Sequence, residues 1–251
     1  MNEPLLTVTN LSKNFIIRKN FWGRPVQSLA AVDRVNFSLR RGETLGLVGE
    51  TGCGKSTLGR IIIGLYQPTA GSVNFRGLDV HQTLKARPAQ IRSKLQIIFQ
   101  DPMAALNPQM TVGEIIAESL SAQPAATPAL ENRSVPDLLA LVGLPAEQAG
   151  RFPHQLSGGQ LQRIEIARTL AINPEFIVCD EPVSSLDVSV QAQIINLLQD
   201  LQKQFSLTYL FITHNLALVR HLCQRVAVMY LGSIVEIAPC RSLFTNPSHP
   251  Y

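Results

Sequence analysis

The sequence predicts an α/β protein: a parallel sheet core, an antiparallel β region near the N-terminus and an inserted helical lobe. Three observations predict it. Thr44–Val48, Leu95–Phe99, Phe176–Cys179 and Leu207–Thr213 are nearly continuous apolar runs of strand length, as expected of parallel strands covered by helices on both faces. Leu5–Thr9, Val32–Leu39 and Ser72–Arg76 instead alternate apolar with polar residues, the pattern of half-buried antiparallel strands. Between Asp101 and Gln155, prolines at 102, 108, 124, 128, 136, 145 and 153 break a helical pattern into short pieces.

The resulting map is one domain over 1–251. Residues 1–100 and 172–251 are expected to form the sheet core with its antiparallel β subdomain, and 101–171 the helical lobe. A helix begins near Ser56 and runs through Gly59–Leu65. A longer one, Ser189–Phe205, carries Val190, Ile194, Leu197, Leu198, Leu201 and Phe205 on one face, read as core packing only. Two short strands, Val226–Leu231 and Ser233–Ile237, flank Gly232 near the end.

Composition narrows the class. With 45% hydrophobic and 16% charged residues in 251, the chain is globular rather than disordered. Its net charge of +4 is scattered, which suits an anionic ligand or a membrane surface without arguing for nucleic acid. The four cysteines (Cys53, Cys179, Cys223, Cys240) are far apart and form no CxxC pair; reduced thiols in a cytoplasm are expected rather than disulfides or zinc. No basic, apolar leader opens the chain. No apolar run approaches the roughly 20 residues of a membrane helix, so any membrane role is peripheral, through a partner.

The residues just past each apolar run carry the chemistry. The first run ends at a glycine-rich turn, the second at Gln100, the third at Asp180-Glu181 and the fourth at His214. Ligands of open α/β sheets bind at the carboxyl ends of strands, so four polar groups at four such ends point to one converging site. The turn, Gly49-Glu50-Thr51-Gly52-Cys53-Gly54-Lys55-Ser56, followed by Thr57, matches the phosphate-binding P-loop. Its glycines let backbone N–H groups close around phosphate oxygens, Lys55 neutralises the β- and γ-phosphates of a nucleotide, and Ser56 ligates Mg²⁺. Asp180 and Glu181 follow their strand like a Walker B element, Asp180 holding Mg²⁺ and Glu181 polarising the attacking water. An acidic turn capping the next helix is the plainer alternative.

Leu156-Ser157-Gly158-Gly159-Gln160 opens a helix reading Leu161, Ile164, Ala167, Leu170. By itself this is an S-x-x-Q capping box; two glycines and a serine at a helix start also make a second anion-binding surface. Pattern alone leaves both open.

P-loop, Gln100, LSGGQ, Asp180-Glu181, Ser185-Leu186-Asp187 and His214 occur in the order of the ATP-binding subunits of ABC transporters, which the chain resembles over nearly its whole length. The resemblance implies a head-to-tail dimer in which Ser157, Gly158, Gly159 and Gln160 of one chain face the γ-phosphate on the other chain's P-loop. It implies that Gln100 senses Mg²⁺ and water, that His214 contacts the γ-phosphate, and that Asp187 lies at the dimer contact, besides being a candidate helix cap. Phe15 occupies the adenine-stacking position, with core packing of Phe15 or stacking by Phe21 or Trp22 as alternatives. Thr51, Val183, Ser185 and Leu161 depart from the usual family residues without removing a catalytic group. Glu165 is spaced to pair with Arg168 on the signature helix.

"RRGETLGLVGETGCGKSTL", "IIFQDPMAALNPQMTVGEII", "VSVQAQIINLL" and "NPSHPY" resemble the oligopeptide, dipeptide and nickel importer group. That implies ATP and Mg²⁺ as ligands, and a second ATPase chain, identical or related, as partner. It also implies two integral membrane permeases, an extracytoplasmic solute-binding protein reached indirectly, and a peripheral place on the cytoplasmic face of a bacterial inner membrane. Ile17–Gln27 matches an insertion of that group, read as a lipid or permease contact or a solvated hairpin. The group's C-terminal extension is expected to be absent. A soluble ABC ATPase acting on nucleic acid or ribosomes is the competing class; such chains carry long coiled-coil inserts or tandem ATPase domains, and neither pattern occurs here.

Overall fold

The fold is described from a computed structural model covering residues 3–19, 25–122 and 133–251; Phe21, Trp22 and Arg24 of the expected insertion lie outside the described residues. Backbone proximity divides the chain into two compact units, residues 1–88 with 210–251, and residues 89–209.

In the first unit, β1 (Leu6–Lys19), β2 (Pro25–Leu39), β4 (Ala70–Phe75) and β5 (Leu78–Asp79) form an antiparallel sheet in the order β2-β1-β4-β5. The alternation in the sequence is realised: Leu6, Val8, Val35, Phe37, Leu39, Val73 and Phe75 are all buried. β1 is longer than the alternating stretch because it continues through register shifts, one of them beside Asn10, which takes φ 46°. Asparagine tolerates that left-handed conformation, and such irregularities let a strand bend without losing its partner.

The core strand β3 (Thr44–Val48) is buried at all five positions. It runs parallel to β9 (Arg225–Tyr230), pairing Leu45 with Arg225 through Val48 with Val228; β10 (Ser233–Pro239) closes that edge in antiparallel fashion. On the other side of β3 lies the end of β8 (Thr208–Ile212), after which the Thr213 N–H donates to the Leu47 carbonyl at 3.2 Å. Besides α1, the unit carries α2 (Val80–Ala86), capped by Asp79; α9 (Leu216–Leu222), capped by Asn215; and α10 (Cys240–Thr245). Helix α1 spans Lys55–Ile62, starting within a residue of the expected Ser56 and ending short of the expected Leu65. It starts directly from the glycine turn, and it stops early because the Leu65 N–H turns back to the Arg60 carbonyl (2.8 Å) and the Gly64 N–H to that of Ile61 (3.0 Å).

In the second unit β6 (Leu95–Ile98) and β7 (Phe176–Asp180) pair in parallel, Leu95 with Phe176 through Ile98 with Cys179. The start of β8 follows on, with the Thr208 N–H donating to the Glu175 carbonyl at 3.0 Å. Short helix α3 (Pro88–Arg92) precedes β6.

The proline-broken stretch becomes α4 (Pro102–Ala105), α5 (Val112–Ser121) and α6 (Val135–Leu141) before the long α7 (Gly158–Ala171). Pro102 and Pro136 do not break helices but start them, beside the capping residues Asp101 and Ser134, where a missing N–H costs nothing. Capping boxes Thr111–Glu114 and Ser134–Asp137 fix α5 and α6, holding Ile115, Ile116, Leu138 and Leu139 in the core.

Helix α8 (Val188–Phe205) buries Ile194, Ile195, Leu198 and Leu201, while Val190, Leu197 and Phe205 are only half-buried. The expected face is thus partly corrected: its ends are not core, and Val190 serves elsewhere.

Candidate functional site

The P-loop follows β3 because its five buried residues stop at Gly49 and the chain must turn sharply into α1. Only glycine fits at two of its positions. A Cβ at Gly49 (φ 155°) would lie 2.2 Å from the Met229 carbonyl oxygen, and one at Gly54 (φ 109°) 2.0 Å from that of Ala31. Those neighbours belong to β9 and β2, so the loop is pressed between two strands. A further bond ties it down, the Gly232 N–H donating to the Cys53 carbonyl at 3.0 Å.

Lys55 is almost fully buried, and its ammonium donates to the carbonyls of Gly49 (2.9 Å) and Glu50 (2.8 Å). Its third contact is a long one to Cys53 Sγ at 3.9 Å, a weak partner that an anion would readily replace. Gly54 caps α1 without a side chain, so the first-turn N–H groups point to an anion-binding helix start.

His214, beyond β8, lines a cavity of about 410 Å³ with Gly49, Glu50 and the C-terminal residues Phe244, Pro247, His249 and Tyr251. The tail is pinned there. The Glu236 carboxylate accepts from the N–H groups of Ser248 and His249, both at 2.9 Å, and these bonds hold its pKa below the ordinary value. The Tyr251 ring packs 4.9 Å from that of Tyr230. Phe15 is 36% exposed, with Tyr66 edge-on at 5.8 Å and the Lys13 ammonium 5.2 Å from its ring centre. It is therefore not a core residue.

In the second unit, the register Ile98 with Cys179 puts Gln100, Asp180 and Glu181 at the same end of two adjacent strands, Asp180 being the last residue of β7. Gln100 is exposed, Asp180 is buried and Glu181 is half-buried. Glu181 takes φ 49°, a left-handed backbone that costs a non-glycine residue roughly 1–2 kcal/mol and is held by the Ser184 N–H and Oγ, both donating to its carbonyl at 3.2 Å. Non-glycine residues kept in such conformations cluster at functional sites.

The LSGGQ turn forms the capping box read from the sequence. The Gln160 N–H donates to Ser157 Oγ at 3.4 Å, and the Ser157 N–H to Gln160 Oε1 at 3.0 Å. A cleft of about 300 Å³ lies over it, lined by Ser157, Gly158, Gly159, Gln160, Ser185 and Asp187, with Arg163, Val190 and Gln193 beside them. Gly159 must stay small, since a Cβ would sit 2.6 Å from Val190 Cγ1.

Arg163 was missed by sequence reasoning. Its guanidinium donates to the Val142 carbonyl (2.5 Å) and to Gln193 Oε1 (3.2 Å), placing a fixed positive charge beside an anion-binding helix start. Its position one helical turn after Gly159 was the available signal. Asp187 stands at the cap of α8 but accepts no capping bond there, leaving its carboxylate to the cleft.

The expected Glu165–Arg168 pair is realised only as a charge attraction: burial raises the Glu165 pKa and the Arg168 guanidinium acts to lower it, while the direct bonds of both side chains go elsewhere. Glu165 is buried and accepts from the Phe99 backbone N–H at 2.7 Å, while Arg168 donates to the Ala105 carbonyl at 3.1 Å. Each side chain is held by a backbone group of the segment packed against α7.

A family model described as ABC transporter matches residues 32–184. The chain belongs to the ABC transporter ATPase family. Among relatives of this ABC ATPase are two oligopeptide transport ATP-binding proteins of Bacillus subtilis. AppF is 50% identical over 99% of this chain and 76% of its own length; OppF is 50% identical over 100% and 81%. Solved ABC cassettes share the fold. The dimeric MJ0796 cassette in a post-hydrolysis state bound to ADP and phosphate superposes with a TM-score of 0.80 at 28% identity, covering 94% of this chain and 99% of that one. CbiO1 of Clostridium perfringens, part of the transporter complex CbiONQ, gives 0.78 at 25% identity over 97% and 92%.

Among the described residues, this ABC ATPase has no helix long and apolar enough to cross a membrane and no cluster of three or more His, Cys, Asp or Glu suited to a metal. Its four cysteines are free and buried.

Proposed function

We propose that this ABC ATPase hydrolyses ATP at composite sites completed by a second ATPase chain, and so drives peptide import through two permease subunits. The observation that supports the proposal is that each compact unit holds a glycine-rich helix start of the kind suited to phosphate. The P-loop already offers a lysine, glycine-lined N–H groups and a helix start; the LSGGQ cleft adds a second helix start with Arg163 alongside. One nucleotide needs only one cradle, so the second serves a nucleotide bound to another chain.

In this reading Gly49, Glu50, Thr51, Gly52, Cys53, Gly54, Lys55, Ser56 and Thr57 wrap the phosphates, and Phe15 stacks on adenine. Glu181 takes the proton of the attacking water, and His214 donates to the γ-phosphate. Ser157, Gly158, Gly159 and Gln160 of the second chain close over that phosphate. Ser56, Asp180 and Gln100 supply only oxygen donors, which fit Mg²⁺; bound there, it would neutralise charge between the β- and γ-phosphates. Positioning and charge stabilisation by these groups, rather than covalent chemistry, lower the barrier.

The identity to AppF and OppF, both named for oligopeptide transport, supports peptides as the solute. Solute capture then belongs to an extracytoplasmic binding protein, and the chain sits on the cytoplasmic face of the membrane through its permeases. The test is reconstitution with candidate permease subunits and a peptide-binding protein from the same organism. ATP-dependent uptake of a labelled oligopeptide supports the reading; uptake of another solute class with no competition by peptides contradicts it.

A further inference from the structure

The signature helix α7 carries a second set of polar residues that the ATPase reading leaves unused. Gln162 and Glu165 are both buried on its inner face, and Arg168 follows one turn on. The Glu165 carboxylate accepts from the Phe99 N–H at 2.7 Å, and Gln162 Nε2 lies 3.5 Å from its other oxygen. Arg168 Nη1 donates to the Ala105 carbonyl at 3.1 Å. Phe99 and Ala105 bracket Gln100 and helix α4, so α7 holds this connecting segment by the backbone at both ends.

We propose that Glu165 is a positioning residue which, with Arg168, clamps residues 99–105 to the signature helix, so that Gln100 and the Ser157 turn move as one body. The proposal rests on the ATPase reading above for what that motion does, though not for the clamp itself.

Three features favour a built device over incidental packing. The Glu165 carboxyl oxygen accepts the Phe99 N–H at 2.7 Å in a buried setting, where a hydrogen bond is stronger than in water and costly to leave unmade. Glu165 has no exposed surface, where an apolar residue would serve packing at lower cost. Its surroundings are also tuned: burial pushes its pKa up to about 7, opposed by the Phe99 N–H and the Arg168 charge and assisted by Asp101. A tilt of α7 as its N-terminus meets a second chain therefore carries the Gln100 segment with it.

The test is hydrogen exchange of the full chain in Glu165→Leu and Glu165→Gln, with ATP hydrolysis measured alongside. Glutamine keeps an acceptor for the Phe99 N–H and leucine does not. The clamp requires exchange in 99–105 to speed by about tenfold or more in Glu165→Leu, the scale of one lost buried bond, while α5 is unchanged and Glu165→Gln stays near wild type. Hydrolysis per bound nucleotide should fall in Glu165→Leu and recover in Glu165→Gln, a rescue that loss of folding alone would not give. Unchanged exchange in Glu165→Leu, or equal acceleration in both variants, overturns the clamp. Should the leucine variant not fold, Glu165→Asp, which keeps charge but loses reach, takes its place with the same expected acceleration. A wild-type chain unable to hydrolyse ATP would defeat the ATPase reading and leave the exchange result standing.

Discussion

The P-loop of the first unit and the LSGGQ turn of the second both present a helix start suited to an anion, yet they are built in opposite ways. The P-loop is fixed before any nucleotide arrives: strands on two sides leave no room for a Cβ at Gly49 or Gly54, and Lys55 is buried against its own loop. The LSGGQ turn instead satisfies itself, through a Ser157–Gln160 box whose serine accepts at a long 3.4 Å. Such a bond is weak and readily exchanged for a better acceptor. In the proposed composite site, the first would be a fixed cradle and the second a cover that gives up little when it engages.

The largest expected effect sharpens the chemistry between them. Glu181→Gln should retain ATP binding but slow hydrolysis by about 10²–10⁴-fold, the scale of a lost general base; single-turnover kinetics check this, and near-normal turnover breaks the assignment. Lys55→Ala probes the fixed side. Removing a charge-assisted partner worth about 1.5–3 kcal/mol should weaken ATP binding roughly 10–100-fold, read by nucleotide titration; unchanged affinity would count against the cradle.

Glu165 probes the second unit. Because the folded chain holds its proton with a pKa of about 7 against an ordinary 4.5, the folded state binds more protons than the unfolded state between those values. That contribution to stability is therefore lost as pH rises from about 4.5 to about 7. Thermal unfolding should show Glu165→Gln gaining on wild type as pH rises through this window, whereas parallel curves contradict the buried carboxylate. The smallest effect is Thr111→Ala, which removes one half of the α5 capping box and should cost about 1 kcal/mol, measured by urea denaturation with little change in ATP affinity.

The sequence made the core strands legible because they are buried on both faces. Thr44–Val48 coincides with β3, and Phe176–Cys179 with β7 to within a residue. Where one residue serves two masters the reading slipped. Val190 has helical spacing like a core residue, but it flanks Gly159, and only the fold shows that. Glu165 was given a local partner by i,i+3 spacing, although its bond reaches Phe99, 66 residues away. Helix α1 starts near Ser56 as read but ends at Ile62 rather than Leu65, because the Gly64 and Leu65 N–H groups turn back to the carbonyls of Ile61 and Arg60, a chain reversal that apolar periodicity does not reveal. Arg163 carried a readable charge but no motif.

The most direct measurement asks whether Lys55 of one chain and Ser157 of another enclose the same nucleotide. Lys55→Ala and Ser157→Arg, each in the Glu181→Gln background, are compared by light scattering with ATP, alone and mixed. Each alone lacks half of every composite site and should remain monomeric. The mixture restores one intact site per mixed pair and should dimerise. A mixture that stays monomeric while Glu181→Gln itself dimerises, or a Ser157→Arg chain that dimerises unaided, would contradict a site shared between chains.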